Sequence, residues 1–218
     1  MQHKPYGPYE KYFKRPLDLL CGIFVVIIFS WLYLALSILG LIFMRGNPFF
    51  TQARPGKNGQ VFMLIKFRTM DNRKDKDGNL LPDEVRLNRY GRFLRKVSLD
   101  EIPEIFNIIK GDMSLIGPRP LLQRDVAYMN ELQNHRHDVR PGLTGLSQCS
   151  GRNSMNWDEK LTTDIEYVNN ISFIMDCMII VKTIAKVLKR EDVEFEEGAD
   201  MDLKDWNELK RLGENKWD

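Results

Sequence analysis

Cysteine is scarce in this chain: Cys21, Cys149 and Cys177 are the three in 218 residues, and no two stand in a C-x-x-C spacing. That excludes a disulfide framework and a cysteine zinc site, and it suits a reducing compartment. Histidine is as rare, and the cluster His135-Arg136-His137 has no further ligand at metal-binding spacing. An excess of charge is missing too. With 32 basic against 30 acidic residues there is no overall pull toward nucleic acid, so cationic behaviour must come from local clusters. No dinucleotide fingerprint, nucleophilic Ser or Cys motif or internal repeat occurs, and the lack of a P-loop argues against nucleotide-driven motor or kinase activity.

Charge is absent altogether from Leu19 to Met44, a run of 26 residues. As a helix it reaches about 39 Å, against a hydrocarbon core of roughly 30 Å. It is too long for a signal peptide and no small-residue cleavage site follows it, so the chain belongs at a membrane. Gly46-Asn47-Pro48 ends the run. Both flanks are basic, with Lys11, Lys14 and Arg15 before and Arg45, Arg54 and Lys57 after. Lysine and arginine favour the cytoplasmic side, so the flanks predict a re-entrant helix that enters and leaves on one face; a spanning helix is the alternative on length.

At 218 residues the chain is long enough for one domain with appendages. Asn58-Gly59 between Phe49–Arg54 and Gln60–Met70 predicts a β-hairpin, with Lys66 and Arg68 on one face of its second strand. Asp71 to Leu81 reads as a mobile loop. Arg86, Arg89, Arg92, Arg95 and Lys96 surround the apolar stripe Tyr90, Phe93, Leu94 and Val97, a basic amphipathic helix of interfacial type. A helix is expected to open near Asp100, another to run from Leu121 to about Gln133, and irregular structure to fill Val139 to Asn153. A long helix is expected from Asp164 to about Lys189, with apolar Ile165, Val168, Ile174, Met178, Val181 and Ile184. The fold class is therefore α+β: a membrane helix (1–48), a small cytosolic catalytic domain with a hairpin and interfacial helices (49–190), and an acidic tail (191–218) with a short amphipathic helix around Trp206.

Asp100-Glu101 is the first candidate for chemistry. At a helix start, unpaired N–H groups favour a carboxylate, a phosphate, or a magnesium-bridged pair of the two. Alone, the pair is as well explained by an N-cap and a solvated first-turn residue. The cations change the weighting: Lys66, Arg68, Arg95 and Arg119, the last fixed between Pro118 and Pro120, suit phosphate oxygens.

The motifs Lys14-Arg15-Pro16-Leu17-Asp18, Phe50-Thr51-Gln52 with Arg54-Pro55-Gly56, and Lys66-Phe67-Arg68-Thr69-Met70 occur in that order. Ser98-Leu99-Asp100-Glu101-Ile102-Pro103-Glu104, Lys110-Gly111-Asp112-Met113-Ser114 and Gly117-Pro118-Arg119-Pro120 come next. Val139-Arg140-Pro141-Gly142-Leu143-Thr144-Gly145 and Gly151-Arg152-Asn153 complete the series. This series, over about residues 11–190, resembles the bacterial sugar transferase family, the monotopic phosphoglycosyl transferases, in its minimal single-domain form. The resemblance implies that a sugar 1-phosphate moves from a UDP-sugar to polyprenyl (undecaprenyl) phosphate with release of UMP, initiating glycoconjugate assembly. It implies Asp100 as nucleophile through a covalent aspartyl intermediate, Glu101 as its assistant, and Lys66, Arg68, Arg95, Arg119 and Arg152 as phosphate or substrate contacts. It also implies Mg2+ with Asp100 as ligand, and a bacterial inner-membrane enzyme facing the cytoplasm, with membrane lipid and no nucleic acid as partner. The chain departs from the pattern at Ser30, which Trp31 follows where relatives with a re-entrant helix carry proline. Two other readings stand beside it: a membrane-anchored Mg-dependent phosphohydrolase with water as acceptor, and a non-enzymatic scaffold binding anionic lipid, in which Asp100 is dispensable.

Overall fold

The uncharged run forms two helices rather than one. In the computed structural model, which describes residues 7–151, 155–189 and 202–212, a π-helical turn Tyr9–Phe13 leads into α1 (Lys14–Ile28), and α2 (Ser30–Met44) comes after it. The two limbs are bent by 66°. Phe29 leaves the helical region at ψ 13°, and the Ser30 hydroxyl donates to the Ile27 carbonyl at 3.0 Å. A serine bonding back into the preceding turn thus accompanies the bend without any proline. Among the described residues no single helix is long and apolar enough to cross a membrane, whereas the bent pair together meets that length and composition.

Both limbs return to the same body. Arg15 donates from Nη1 and Nη2 to the carbonyls of Ile108 and Ile109 at 2.6 and 2.9 Å, covering the end of a later helix. Buried Asp18 accepts from the Ser114 hydroxyl at 2.7 Å and the Leu115 N–H at 3.0 Å. On α2, the Leu36 carbonyl accepts from the Tyr90 hydroxyl at 2.7 Å and the Phe43 carbonyl from Asn88 Nδ2 at 3.2 Å. Between these anchors Leu20, Phe24, Ile27, Trp31 and Leu34 stand exposed.

The hairpin forms at the expected place. β1 (Phe49–Pro55) and β2 (Val61–Phe67) are antiparallel, and Asn58 and Gly59 adopt the positive φ of the turn. β2 ends three residues earlier than the sequence suggests, because β1 begins at Phe49 and only the Pro48 carbonyl remains to take the Arg68 N–H, at 2.7 Å. Alternation stops there, and Phe67 and Thr69 turn inward. The segment after it is a turn folded around Asp75, whose Oδ1 accepts the N–H groups of Asp77 and Asn79.

α3 (Asp83–Arg86) and α4 (Arg89–Lys96) are next, α4 capped by Asn88. Its apolar stripe divides: Tyr90 and Leu94 are buried, Phe93 and Val97 exposed. The helix expected to open at Asp100 begins later. Leu99–Glu101 is a 3-10 turn, and α5 (Glu104–Lys110) starts after Pro103, which has no N–H to continue a ladder across it. β3 (Ser114–Ile116) then precedes two single-turn helices, α6 (Gln123–Val126) and α7 (Glu131–Asn134), in place of the one helix expected. The stretch expected to be irregular holds β4 (Gly142–Thr144), parallel to β3, and α8 (Leu146–Gly151).

The long C-terminal helix is two, α9 (Trp157–Asn169) and α10 (Phe173–Lys189). Ile171, buried at the break, and Ser172, whose hydroxyl accepts the Met175 N–H, separate them. The apolar stripe Ile174, Met178, Val181 and Ile184 is exposed, while Asp176 and Ile179 face the core. The reason is Asp176, which binds the Tyr9 hydroxyl, Lys14 and the Tyr167 hydroxyl at 2.6–2.8 Å and so turns that face of α10 inward. α11 (Leu203–Leu212) matches the helix expected around Trp206, with Leu203 buried against Met129 and Leu161. Helices and two separate two-stranded sheets make the chain α+β.

Candidate functional site

The site assembles where β2 passes the 3-10 turn. Asn107 on α5 sets the register: its Oδ1 accepts the Ile65 N–H at 3.0 Å and its Nδ2 donates to the Met63 carbonyl at 2.8 Å. A helix side chain thus pairs with the open edge of β2 as a strand would. This brings Lys66 over the carboxylates, with Nζ 2.8 Å from Glu101 Oε1 and 3.1 Å from Glu104 Oε1. Arg119 Nη2 approaches the same Glu101 oxygen at 2.9 Å from the opposite loop.

Asp100 stands beside this cluster. Burial pushes its carboxyl above the usual carboxylate range and the Glu101 charge adds to that, while Lys66 and Arg95 pull it back. Glu104 is raised as well, chiefly by burial, with Lys66 opposing. Arg119 is held more firmly protonated, chiefly by the Glu101 charge. Carboxylates and cations therefore tune one another here, as charged groups gathered in a partly buried cluster do.

Arg95 reaches the site from α4, its Nε donating to Thr69 Oγ1 at 2.9 Å. The approach depends on Gly91, where a Cβ would come within 1.8 Å of the Thr69 carbonyl oxygen. Of the other expected contacts, Arg68 lies past the end of β2, and its side chain joins neither Glu101 nor Glu104. Arg152 lies outside the described residues.

Three participants escape a reading of the sequence for function. Glu104 follows Asp100 by four residues, a spacing that could have marked it. Arg54 donates from Nη1 to the Pro120 carbonyl at 3.1 Å and from Nη2 to Gln52 Oε1 at 2.8 Å. Arg136, in sequence only the middle of a histidine cluster, is buried and donates from Nη2 to the Arg119 carbonyl at 2.6 Å. Nothing in the local sequence signals either arginine's target.

The chemistry of the donor set fits magnesium. Among the described residues no three His, Cys, Asp or Glu side chains gather to hold a metal by themselves. Glu101 and Glu104 are already bound to cations, whereas Asp100 carries a raised carboxyl that a cation would relieve. One carboxylate with phosphate oxygens and water completing the shell is the usual magnesium arrangement.

A family model described as bacterial sugar transferase matches residues 9–190. The chain is 47% identical over 188 residues to an uncharacterized sugar transferase, EpsL, of Bacillus subtilis, covering 83% of this chain and 90% of that protein. It is 36% identical over 193 residues to the exopolysaccharide production protein ExoY of Sinorhizobium fredii, covering 80% and 84%. To the undecaprenyl-phosphate galactose phosphotransferase of Salmonella typhimurium it is 35% identical over 207 residues, 84% of this chain but 42% of that longer protein.

Proposed function

The chain belongs to the bacterial sugar transferase family, and from that premise we propose that it transfers a sugar 1-phosphate from a UDP-sugar to polyprenyl phosphate. The observation that carries this reading is the Lys66–Glu101–Arg119 cluster beside a raised Asp100, on a body that holds both ends of an exposed apolar helix pair. The name of the Salmonella relative, an undecaprenyl-phosphate phosphotransferase, supports a lipid phosphate as acceptor.

In the first step a carboxylate oxygen of Asp100 attacks the β-phosphorus of the UDP-sugar. The bond from that phosphorus to the bridging anhydride oxygen breaks, UMP leaves, and an aspartyl sugar phosphate remains. In the second, a phosphate oxygen of polyprenyl phosphate attacks the same phosphorus, and the Asp100 carboxylate departs. Two displacements replace one exchange between anions, and each has an easier nucleophile and leaving group. Lys66 has three donors and Arg119 five, so both keep N–H groups for phosphate oxygens after binding the glutamates. Glu101 keeps the two cations together and accepts or returns a proton as the acceptor enters. Asp100 would be the residue to hold Mg2+, and the ion, when bound, would supply neutralisation of phosphate charge.

A panel of UDP-sugars with undecaprenyl phosphate and Mg2+, read by UMP release and lipid product, tests this. UMP appearing with a sugar-diphosphate lipid is the expected result. Free sugar 1-phosphate without lipid product would make water the acceptor, and no UMP from any donor would overturn the reading.

The same reading makes the helix pair a re-entrant anchor in the bacterial inner membrane, with the catalytic body on the cytoplasmic face. Its support is that α1 and α2 each bind the one body while the residues between them are apolar and exposed. α10 adds a second exposed apolar stripe, Ile174, Met178, Val181 and Ile184, with exposed Lys182 beside it, as on an interfacial helix. With a single cysteine at Gln2 in a cysteine-free background, a membrane-impermeant thiol reagent should label only lysed cells. Efficient labelling of intact cells would mean that the pair spans.

A further inference from the structure

Three successive carbonyls carry the loop that presents Arg119, and each is held by a donor from a different part of the chain. The Pro118 carbonyl accepts the Gly142 N–H at 3.0 Å, the Arg119 carbonyl accepts Arg136 Nη2 at 2.6 Å, and the Pro120 carbonyl accepts Arg54 Nη1 at 3.1 Å. We propose that Arg54 and Arg136 are positioning residues, which aim the Arg119 guanidinium at the donor phosphates by holding the carbonyl of its peptide link to Pro120 and the carbonyl after it.

Arg136 is itself fixed. Its Nε and Nη2 donate to Asp164 Oδ2 at 3.1 and 2.6 Å, and Asp164 Oδ1 accepts the Ser147 hydroxyl at 2.7 Å. All three residues are buried. A buried ion pair is a poor source of stability, since desolvation offsets much of its attraction and apolar replacements are often as stable. Its spatial precision is another matter, because a planar guanidinium bonded along two edges has little freedom. Arg54 brings a cost of its own. It is half-buried, next to the like charge of Arg119, and its Nε is buried with no partner among the described residues. Two adjacent guanidiniums in a partly desolvated loop favour an incoming dianion, and the proline rings at 118 and 120 leave Arg119 few other ways to turn.

This inference rests on the reading of Arg119 as a phosphate contact, and a double-mutant cycle separates the two. Arg54→Gln and Arg136→Lys are made in the wild-type full-length chain and in Arg119→Ala, and kcat/KM for the UDP-sugar is measured with a radiolabelled donor in membranes. Misplacing a catalytic group by about 1 Å can cost 100-fold, so each single variant should lose between about 10- and 100-fold in the wild type. In the Arg119→Ala background each should change the rate by less than about threefold, because the group it aims is gone. Equal losses in both backgrounds would assign the arginines a general structural role and overturn the proposal. So would wild-type kinetics in Arg54→Gln while Arg119→Ala is impaired. Unimpaired Arg119→Ala would instead refute the phosphate-binding role of Arg119. Should the buried Arg136→Lys fail to fold, Arg54→Gln carries the cycle alone, since Arg54 is only half-buried.

Discussion

Asp100→Asn abolishes sugar-phosphate transfer and leaves the thermal unfolding midpoint unchanged or higher. The amide is nearly the same shape as the carboxylate but cannot attack phosphorus, so the loss of activity is chemical. The stability half comes from the site. Burial and the Glu101 charge raise the Asp100 pKa in the folded chain, so in the window between the unfolded and folded values the native state binds more protons. Stability therefore falls as pH rises through that window, and at neutral pH the ionised carboxyl is a net cost. The Asn variant lacks that cost, and its advantage should shrink as the pH falls through that window and vanish below the ordinary carboxylate range. Intact-mass analysis of the wild type with donor and no acceptor should find a sugar-phosphate adduct at Asp100. Substantial transfer by the Asn variant would remove Asp100 from the chemistry.

Arg119→Ala and Arg95→Ala each lower kcat/KM for the UDP-sugar by orders of magnitude while membrane association, read by flotation, stays intact. Truncating a charge-assisted contact in a site that binds charge costs about 2–5 kcal/mol, or roughly 30- to 4,000-fold. The two should differ in kind. Arg119 shares the Glu101 oxygen with Lys66, so its loss leaves Glu101 still paired and the fold little changed. Arg95 takes hold of Thr69 beneath α4, so its loss also loosens the seat of that helix. Near-normal kinetics in both variants would mean that the phosphates are held elsewhere.

Several features are legible in the amino-acid sequence because they depend on residues next to one another. The charge-free length from Leu19 to Met44, the stop at Gly46-Asn47-Pro48 and the Asn58-Gly59 turn are local physics, and all three appear in the fold. Lys66, Asp100, Glu101 and Arg119 stand out by charge type and spacing, and the fold does gather Lys66, Glu101 and Arg119 around one carboxylate oxygen, with Asp100 adjacent. The bend at Phe29 is half legible, since Ser30 can bond back along the helix, but proline is the usual signal.

Other features are decided by tertiary structure alone. The α10 stripe has the spacing of a buried face, and periodicity tells which residues share a face without telling which way it points. Asp176 settles the direction through partners as distant in sequence as Tyr9 and Lys14. Arg136 is, in sequence, one cation between two histidines, yet it is buried against Asp164 and the carbonyl of Arg119. Asn107 has the look of an ordinary polar helix residue and serves as the edge partner of β2. Local sequence determines charge, turn chemistry and apolar length because those depend on the chain's own covalent neighbours. The pairing of a buried polar group is decided by whichever donor or acceptor the fold brings within about 3 Å, and for these residues that partner lies well beyond the local sequence.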